Sequence, residues 1–347
     1  MTVPEQISYP AITGIGGAVG GVSLPNDALI AKYNLNSDDE AIRTRTGIEH
    51  RYHVHEGVLP SSLGMTAARI ALETAGIDAA NIEEIIVATS SPDQLLPNTA
   101  SKIHGGHRLP RTAGASDIGA ACSGALYALE SASAKMIAFG QGPSLIVGTE
   151  ILSAGINPND RRTAILFGDG AGAMVLQSVM GAHRPAFATL TEPDEEAINV
   201  KFGIRDLAGF SSGGDRHFIA MDGQRVLGHA LEMLPAVALL AAERAGISDG
   251  HSIDTDSIDL FVPHQANLRM IDPLADYLGI PDEKRVRTVV KHGNTSSASI
   301  PLGLYDAYIN GRLSPDRLNR VLMVAIGAGM VAKAAVLDVQ IGATQLP

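Results

Sequence analysis

The sequence predicts an α/β protein made of two related halves, and three observations carry that prediction. Asp117 to Glu150 reads as strand, elbow, helix and strand around the single cysteine of the chain, Cys122. The same order of elements returns in the second half after roughly 160–170 residues, an offset too long for a solenoid repeat. No Pro-rich or low-complexity linker intervenes, so one compact body is expected, with residues 1–178 as the N-terminal half and residues 179–347 as the C-terminal half.

Ala11 to Val22 predicts a first strand running into a Gly-rich turn. Its spacing is not that of a dinucleotide loop, and no acidic residue follows where such a site needs one. Pro25, Asn26 and Asp27 open a short helix. Asp38 to His55 is polar and predicts a solvated loop with a short helix. His50, His53 and His55 match neither a helix face nor a common zinc spacing, so no metal site is expected. Leu63 to Ala75 is an amphipathic helix closed by Gly76, Ile82 to Ala88 a strand, and Asn98 to His104 another helix.

After Cys122, apolar and small residues from Leu126 to Ile137 run for about four helical turns and stop at Gly140, ahead of the apolar run Leu145 to Val147. Strand, helix and strand at that spacing is a parallel βαβ unit. Cys122 then lies where strand gives way to helix, and there unpaired N–H groups and the macrodipole favour a thiolate. Ala164 to Leu176 predicts a hairpin or bulge around a Gly-rich turn. In the second half, Gly223 to Ala245 is a long apolar helix, and Ile258 to Pro263 is a strand matching Ile82 to Ala88. His264 to Tyr277 predicts a helix interrupted near Pro273, and Arg287 to Val290 a short strand. Arg320 to Ala325 matches Ser144 to Gly148, and Gly327 to Val336 resembles Gly170 to Leu176.

Composition narrows the functional class. With 347 residues, 45% hydrophobic and 18% charged, the chain can bury a sizeable core, and a net charge of −11 argues against nucleic acid as the main partner. One cysteine excludes a disulfide framework and fits a reducing cytoplasm. Met1 to Pro10 is polar and no uninterrupted apolar run is long enough to span a bilayer, so neither a leader nor a membrane partner is expected.

A nucleophilic thiol needs a polarising partner and groups that hold a developing oxyanion. Val262 to Asn267 (VPHQAN) sets His264 just past a strand end. Lys291 to Pro301 (KHGNTSSASIP) sets Asn294 in a Gly- and Ser-rich loop after the predicted strand at Arg287 to Val290. Ligand sites in parallel sheets form at carboxyl strand ends, so Cys122, His264 and Asn294 make a coherent set.

DIGAACSGALYAL, FGDGAGAMVL, VPHQAN and HGNTSSASIPL, in this order, resemble the thiolase-superfamily condensing enzymes and, within them, the β-ketoacyl-acyl-carrier-protein synthase III family. The likeness covers almost the whole chain, from Thr44 to Arg51 (TRTGIEHR) onward. It implies a thiolase-like, five-layered αβαβα fold of two duplicated halves, and a homodimer paired through a strand of the N-terminal half. It further implies that Cys122 takes the acyl group of an acyl-coenzyme A. His264 and Asn294 then hydrogen-bond the thioester oxygen of a malonyl unit on an acyl carrier protein, and decarboxylation gives the enolate that attacks the acyl-cysteine. Neutral donors suit an enolate; a cation would retain the carboxylate that has to leave. The N–H groups of Cys122 and Ala328 would form a second oxyanion hole. No cofactor is implied, because coenzyme A enters as a substrate thioester.

The same resemblance assigns Arg45, Arg161, Gln224 and Asn267 to the coenzyme A and pantetheine path, Leu96, Ala125 and Ile326 to the acyl pocket, and Arg269 to carrier docking. Departures fall on binding. Ala41 stands where the family often stacks a Trp on adenine, and Gln224 where it often has Asn. Leu96 and Ala125 replace bulkier residues, which implies a primer larger than acetyl. Asp276 and Tyr277 stand where lysines often meet the carrier. Two other readings are a same-family acyltransferase that passes the acyl group to an O, N or S nucleophile without condensation, and a partner subunit with a vestigial site; the complete Cys/His/Asn set weighs against the latter.

Overall fold

The computed structural model describes residues 7–200 and 218–342. The N-terminal half runs β1 (Ser8–Val19), β2 (Val22–Pro25), α1 (Asn26–Tyr33), α2 (Asp39–Thr46), β3 (His50–His53), α3 (Pro60–Ala75), β4 (Glu84–Ala88), α4 (Thr99–His107), β5 (Gly114–Ile118), α5 (Gly124–Phe139), β6 (Ser144–Glu150), α6 (Arg161–Ala164) and β7 (Gly170–Met180). The C-terminal half runs β8 (Ala186–Thr191), β9 (Ile198–Asn199), β10 (Ala220–Met221), α7 (Gly223–Arg244), β11 (Leu260–Pro263), α8 (Leu268–Tyr277), α9 (Val289–His292), α10 (Ser299–Ile309), β12 (Asn319–Gly327) and β13 (Val331–Val339).

The duplication is written in the strand pairing. In the first half β1 pairs with β7 and β7 with β6, both antiparallel; β6 pairs with β4 and β4 with β5, both parallel. In the second half β8 pairs with β13 and β13 with β12, both antiparallel, β12 pairs with β11 in parallel, and a single parallel bridge joins Phe261 to Arg285. The two sheets touch where Ile12 pairs with Val339. Because β7 continues to Met180, the expected boundary at residue 178 falls inside its last turn of pairing rather than in a loop.

Side-chain alternation explains the layers. Ile86, Ile146, Met174 and Leu176 point to one face of the first sheet, and Ile85, Val87, Leu145, Val147 and Val175 to the other. With both faces covered, the strands read as continuous apolar runs. The inner face meets α5 and α10, which also receive Val262, Met323 and Leu337 from the second sheet. The outer faces are covered by α3 and α4 on one side and by α7 and α8 on the other. The order is αβαβα. Helix α7 has 22 residues, and its most apolar 18-residue stretch has a mean hydropathy of 1.4, yet its apolar residues Met233, Leu234, Val237 and Ala241 are buried against the second sheet.

Several local expectations change. Ala164 to Leu176 is no hairpin: after the short α6, β7 runs straight through its glycines. A Cβ on Gly172 would stand 2.4 Å from the Leu302 amide nitrogen, so the residue is small because α10 crosses there. Likewise most glycines after Ala11 lie within β1, and only Gly20 and Gly21 turn the chain. Asp38 to His55 is not a solvated loop, because β3 pairs with β2 and buries Arg51 and His53. Lys32 Nζ donates to His53 Nδ1 at 3.1 Å, which leaves Nε2–H facing the Phe167 carbonyl at 3.3 Å. In the cysteine unit, β5 and β6 are parallel but flank β4 instead of pairing with each other.

Candidate active site

Cys122 follows β5 in a single 3₁₀ turn, Ala121–Ser123, that leads into α5. The turn is strained: Ala121 has φ of 46°, a left-handed conformation that costs a Cβ-bearing residue about 1–3 kcal/mol. Ser296 (φ 48°) and Met330 (φ 51°), in two other loops of the site, share it. Ser123 Oγ lies 3.0 Å from the Ala120 carbonyl and 3.2 Å from that of Val331, tying the turn to β13. Gly327, at the end of β12, packs against the same turn. A Cβ there would lie 2.8 Å from both the Ala120 carbonyl and Ser123 Oγ.

The helix start does not produce a ready thiolate. Burial pushes the Cys122 thiol up to about 12, against a hydrogen bond from Ser296, and a charge on Glu150 would add to the rise. Desolvation of the charged form outweighs the end of the macrodipole, whose reach is one turn.

His264 comes directly off β11, its amide donating to the Val324 carbonyl at 2.6 Å. The expected helix begins only at Leu268, where the Asn267 side chain caps α8. His264 is almost wholly buried, which lowers its pKa to about 4 and keeps the ring neutral. Its Nδ1 lies 2.7 Å from Ser299 Oγ, which in turn receives the Gln265 amide. The serine proton is therefore free to go to Nδ1, and the ring carries its own proton on Nε2.

Asn294 is set by a helical turn, α9, where a strand was expected, followed by Gly293 at φ 66°. Its backbone bridges Phe167: the Asn294 amide donates to Leu166 O at 2.8 Å, and the Gly168 amide to Asn294 O at 3.0 Å. The side-chain oxygen accepts from the Ser296 amide at 2.8 Å, so the NH₂ end remains to donate elsewhere.

These three residues line one cavity of about 210 Å³, together with Ile326, Gly327, Ala328, Val226, Leu227 and Met270. It offers a single thiol and the two neutral donors His264 and Asn294, in a wall that is apolar apart from Arg45, Asn267 and Arg269. Arg45, Leu166, Met221, Gly223 and Asn267 also border a wider cleft of about 980 Å³ that holds Arg161, Arg162, Asp160, Asp222 and Gln224. The wide, charged cleft thus opens into a narrower, mostly apolar chamber, a shape suited to a ligand with a polar head and a long thioester arm.

Of the residues expected along the path, Arg45, Arg161, Gln224 and Asn267 all border the cleft. Asn267 is heavily engaged: its oxygen accepts the Arg269 amide and its nitrogen donates to Arg45 O at 3.2 Å. Arg269 is exposed and donates from Nε to Thr44 O at 3.1 Å. Among the acyl-pocket residues only Ile326 borders the chamber. Ala125 is fully buried in the core between the sheets, and Leu96 is 85% exposed on the surface.

Sequence reading missed the groups behind the cysteine. Glu150, at the end of β6, is fully buried under Cys122 and contacts Ser90, Ser91 and Ser297. A carboxylate ending an otherwise apolar strand was the available signal. Gln265 also escaped notice: its side chain donates to Pro263 O and Val286 O and accepts from the Val289 amide, locking β11 to α9. Among the described residues, no group of three or more His, Cys, Asp or Glu side chains could hold a metal ion.

Two family models match the chain, 3-oxoacyl-[acyl-carrier-protein] synthase III over residues 116–192 and its C-terminal domain over residues 249–339. A β-ketoacyl-[acyl-carrier-protein] synthase III of Paracoccus denitrificans is 41% identical over 307 residues, 87% of this chain and 91% of that one. Its counterpart in Anaplasma marginale is 38% identical over 320 residues, 91% and 95% of the two chains. Among solved structures, a priming β-ketosynthase of a polyketide biosynthetic pathway superposes with a TM-score of 0.87 at 30% identity, covering 98% of this chain and 99% of that one.

Proposed function

The chain belongs to the 3-oxoacyl-[acyl-carrier-protein] synthase III family and is a condensing enzyme of fatty-acid-type biosynthesis; on that premise we propose that Cys122 carries the acyl group while His264 and Asn294 stabilise the enolate of the extender. The observation that carries this reading is the pair of neutral donors, His264 Nε2–H and the Asn294 NH₂, on the walls of the cysteine chamber.

In this reading an acyl-coenzyme A enters through the charged cleft, its phosphates near Arg45 and Arg161 and its arm passing Gln224 and Asn267. Cys122 Sγ attacks the thioester carbonyl. The developing oxyanion is held by the N–H groups of Cys122 and Ala328, and the thiol proton leaves on coenzyme A. A malonyl group on an acyl carrier protein, docking beside Arg269, then takes the vacated arm site. Carbon dioxide leaves, the enolate oxygen is held by His264 and Asn294, and the new carbon–carbon bond expels Cys122. The thioester is a substrate and no other cofactor takes part. The single unpaired cysteine suits a reducing cytoplasm.

We place a homodimer contact at β5, an edge strand that among the described strands is hydrogen-bonded only to β4, with an exposed outer side. Leu95 and Leu96 are exposed on the chain alone, and a partner would cover them. If Leu96 reaches the acyl site, it does so across that contact. A primer longer than acetyl then rests on Leu96 reaching the site across that contact, because Ala125 lies in the core away from the chamber. Acyl transfer without condensation is not favoured, because both enolate donors are present.

The experiment preloads the enzyme with hexanoyl-coenzyme A and adds malonyl-carrier protein. Carbon dioxide and a ketoacyl-carrier product are expected, with hexanoyl loading faster than acetyl. Transfer of the hexanoyl group without carbon dioxide release sinks the condensation, and faster acetyl loading sinks the primer assignment.

A further inference from the structure

Beneath the nucleophile, the Glu150 carboxyl is fully buried, and the hydrogen bonds recorded for it come from hydroxyls and one amide, with no cation among them. Ser297 Oγ lies 2.8 Å from the Ala88 carbonyl and 2.8 Å from Glu150 Oε1. A hydroxyl has one proton, and a carbonyl can only accept. With that proton on Ala88 O, Ser297 Oγ is left to accept from a protonated Glu150 Oε1, so the pair accommodates the neutral acid. The Ser90 amide lies 3.1 Å from both carboxyl oxygens, and the Ser91 hydroxyl lies 2.7 Å from Oε2. Ser296, which hydrogen-bonds Cys122, also bonds Glu150, so the carboxyl and the thiol flank one hydroxyl.

We propose that Glu150 is a positioning residue held as a neutral carboxylic acid, which braces the Ser296–Ser297 loop under Cys122 while keeping negative charge away from its sulfur. This deepens the reading of Cys122 as the acylated nucleophile and rests on it. A negative group there opposes formation of the thiolate. Among the described residues no cation compensates it: Thr89, Ser90 and Ser91 from the end of β4 and Ser296 and Ser297 from the loop before α10 are uncharged. Cys122 is the titratable group that faces it. Asp93, farther along the β4 loop, is turned to Ser61 and Lys102. Burial favours the neutral acid as well.

The arrangement has a kinetic signature. Acylation of a high-pKa thiol climbs with pH, and ionisation of Glu150 checks that climb, giving a break in the pH–rate profile of single-turnover acylation. Glu150→Gln mimics the neutral acid, so it should keep acylation at pH 7 within about threefold and lose the break. Ser297→Ala removes the acceptor of the Glu150 proton and should move the break to lower pH, a shift that loss of packing alone does not produce. Infrared difference spectra of wild type against Glu150→Gln at neutral pH should show a protonated-carboxyl band that the variant lacks, whatever the role of Cys122. Absence of that band, a break that persists in Glu150→Gln, or a hundredfold loss at pH 7 in a variant that still melts cooperatively would overturn the proposal. Failure of the Cys122 assignment is recognised separately, by an acyl adduct that survives Cys122→Ala.

Discussion

Gly327→Ala tests how tightly the nucleophile is braced. The new methyl group would sit 2.8 Å from the Ala120 carbonyl and from Ser123 Oγ, and 3.3 Å from the Cys122 amide nitrogen. Ordinary contact begins at 3.4 Å, so 3.4 minus 2.8 leaves about 0.6 Å that the turn must yield. Two of those three atoms are backbone, and the turn already carries the left-handed Ala121, so it cannot relax through a rotamer change. Overpacking of this kind costs about 1–3 kcal/mol in stability. A displacement near 1 Å at a reacting centre costs on the order of 10²-fold in rate. The expected outcome is a 10- to 100-fold slower single-turnover acylation, followed by intact mass, with a melting point lower by several degrees. Gly105→Ala, in α4 with nothing within 4 Å of the added Cβ, serves as control and should melt no lower than wild type. Wild-type acylation and melting in Gly327→Ala would refute the claim that β12 braces the cysteine turn.

Replacing His264 or Asn294 by Ala should leave the acyl adduct on Cys122 and lower malonyl decarboxylation by about 10²–10³, the cost of losing one oxyanion donor; equal loss of both steps would contradict the division of labour. His264 and His292 are each held near 4 by burial, against 6.5 for an exposed ring. Between those values the unfolded chain binds protons that the native chain refuses. Stability is therefore full above pH 6.5 and falls as pH drops toward 4, and urea midpoints at pH 7, 5.5 and 4.5 that do not decline would refute the buried neutral rings. Arg51, fully buried, donates to Leu24 O, Asn26 Oδ1 and Ile165 O, with no carboxylate partner among the described residues. Arg51→Ala strands those acceptors at about 1–3 kcal/mol apiece, so a large drop in melting temperature is expected, and a neutral result would remove Arg51 as the peg beneath the Asn294 loop.

The layered architecture was legible because its strands are buried on both faces and its helices end on glycine, patterns that periodicity reads directly. Gly76 and Gly140 close α3 and α5 as the sequence indicates. The errors have one source: glycine and polar residues serving tertiary purposes. Gly172 looks like a turn and is a crossing point for α10; His53 and Arg51 look solvated and are pinned under neighbouring loops. The strand expected before Asn294 is a helical turn, because Asn294 takes its backbone partners from Leu166 and Gly168, more than a hundred residues away in sequence. At the site, residue types and order pointed to Cys122, His264 and Asn294. The protonation of the thiol, the tautomer set by Ser299 and the carboxyl of Glu150 depend on burial and on single hydroxyl protons, and a linear pattern carries neither.

The most direct measurement weighs the intact protein after incubation with hexanoyl-coenzyme A, in wild type and in Cys122→Ala. The account predicts one hexanoyl adduct per chain in wild type, none in the variant, and disappearance of the adduct with release of carbon dioxide when malonyl-carrier protein is added. An adduct that persists in Cys122→Ala, or no adduct in the wild-type protein, would contradict it.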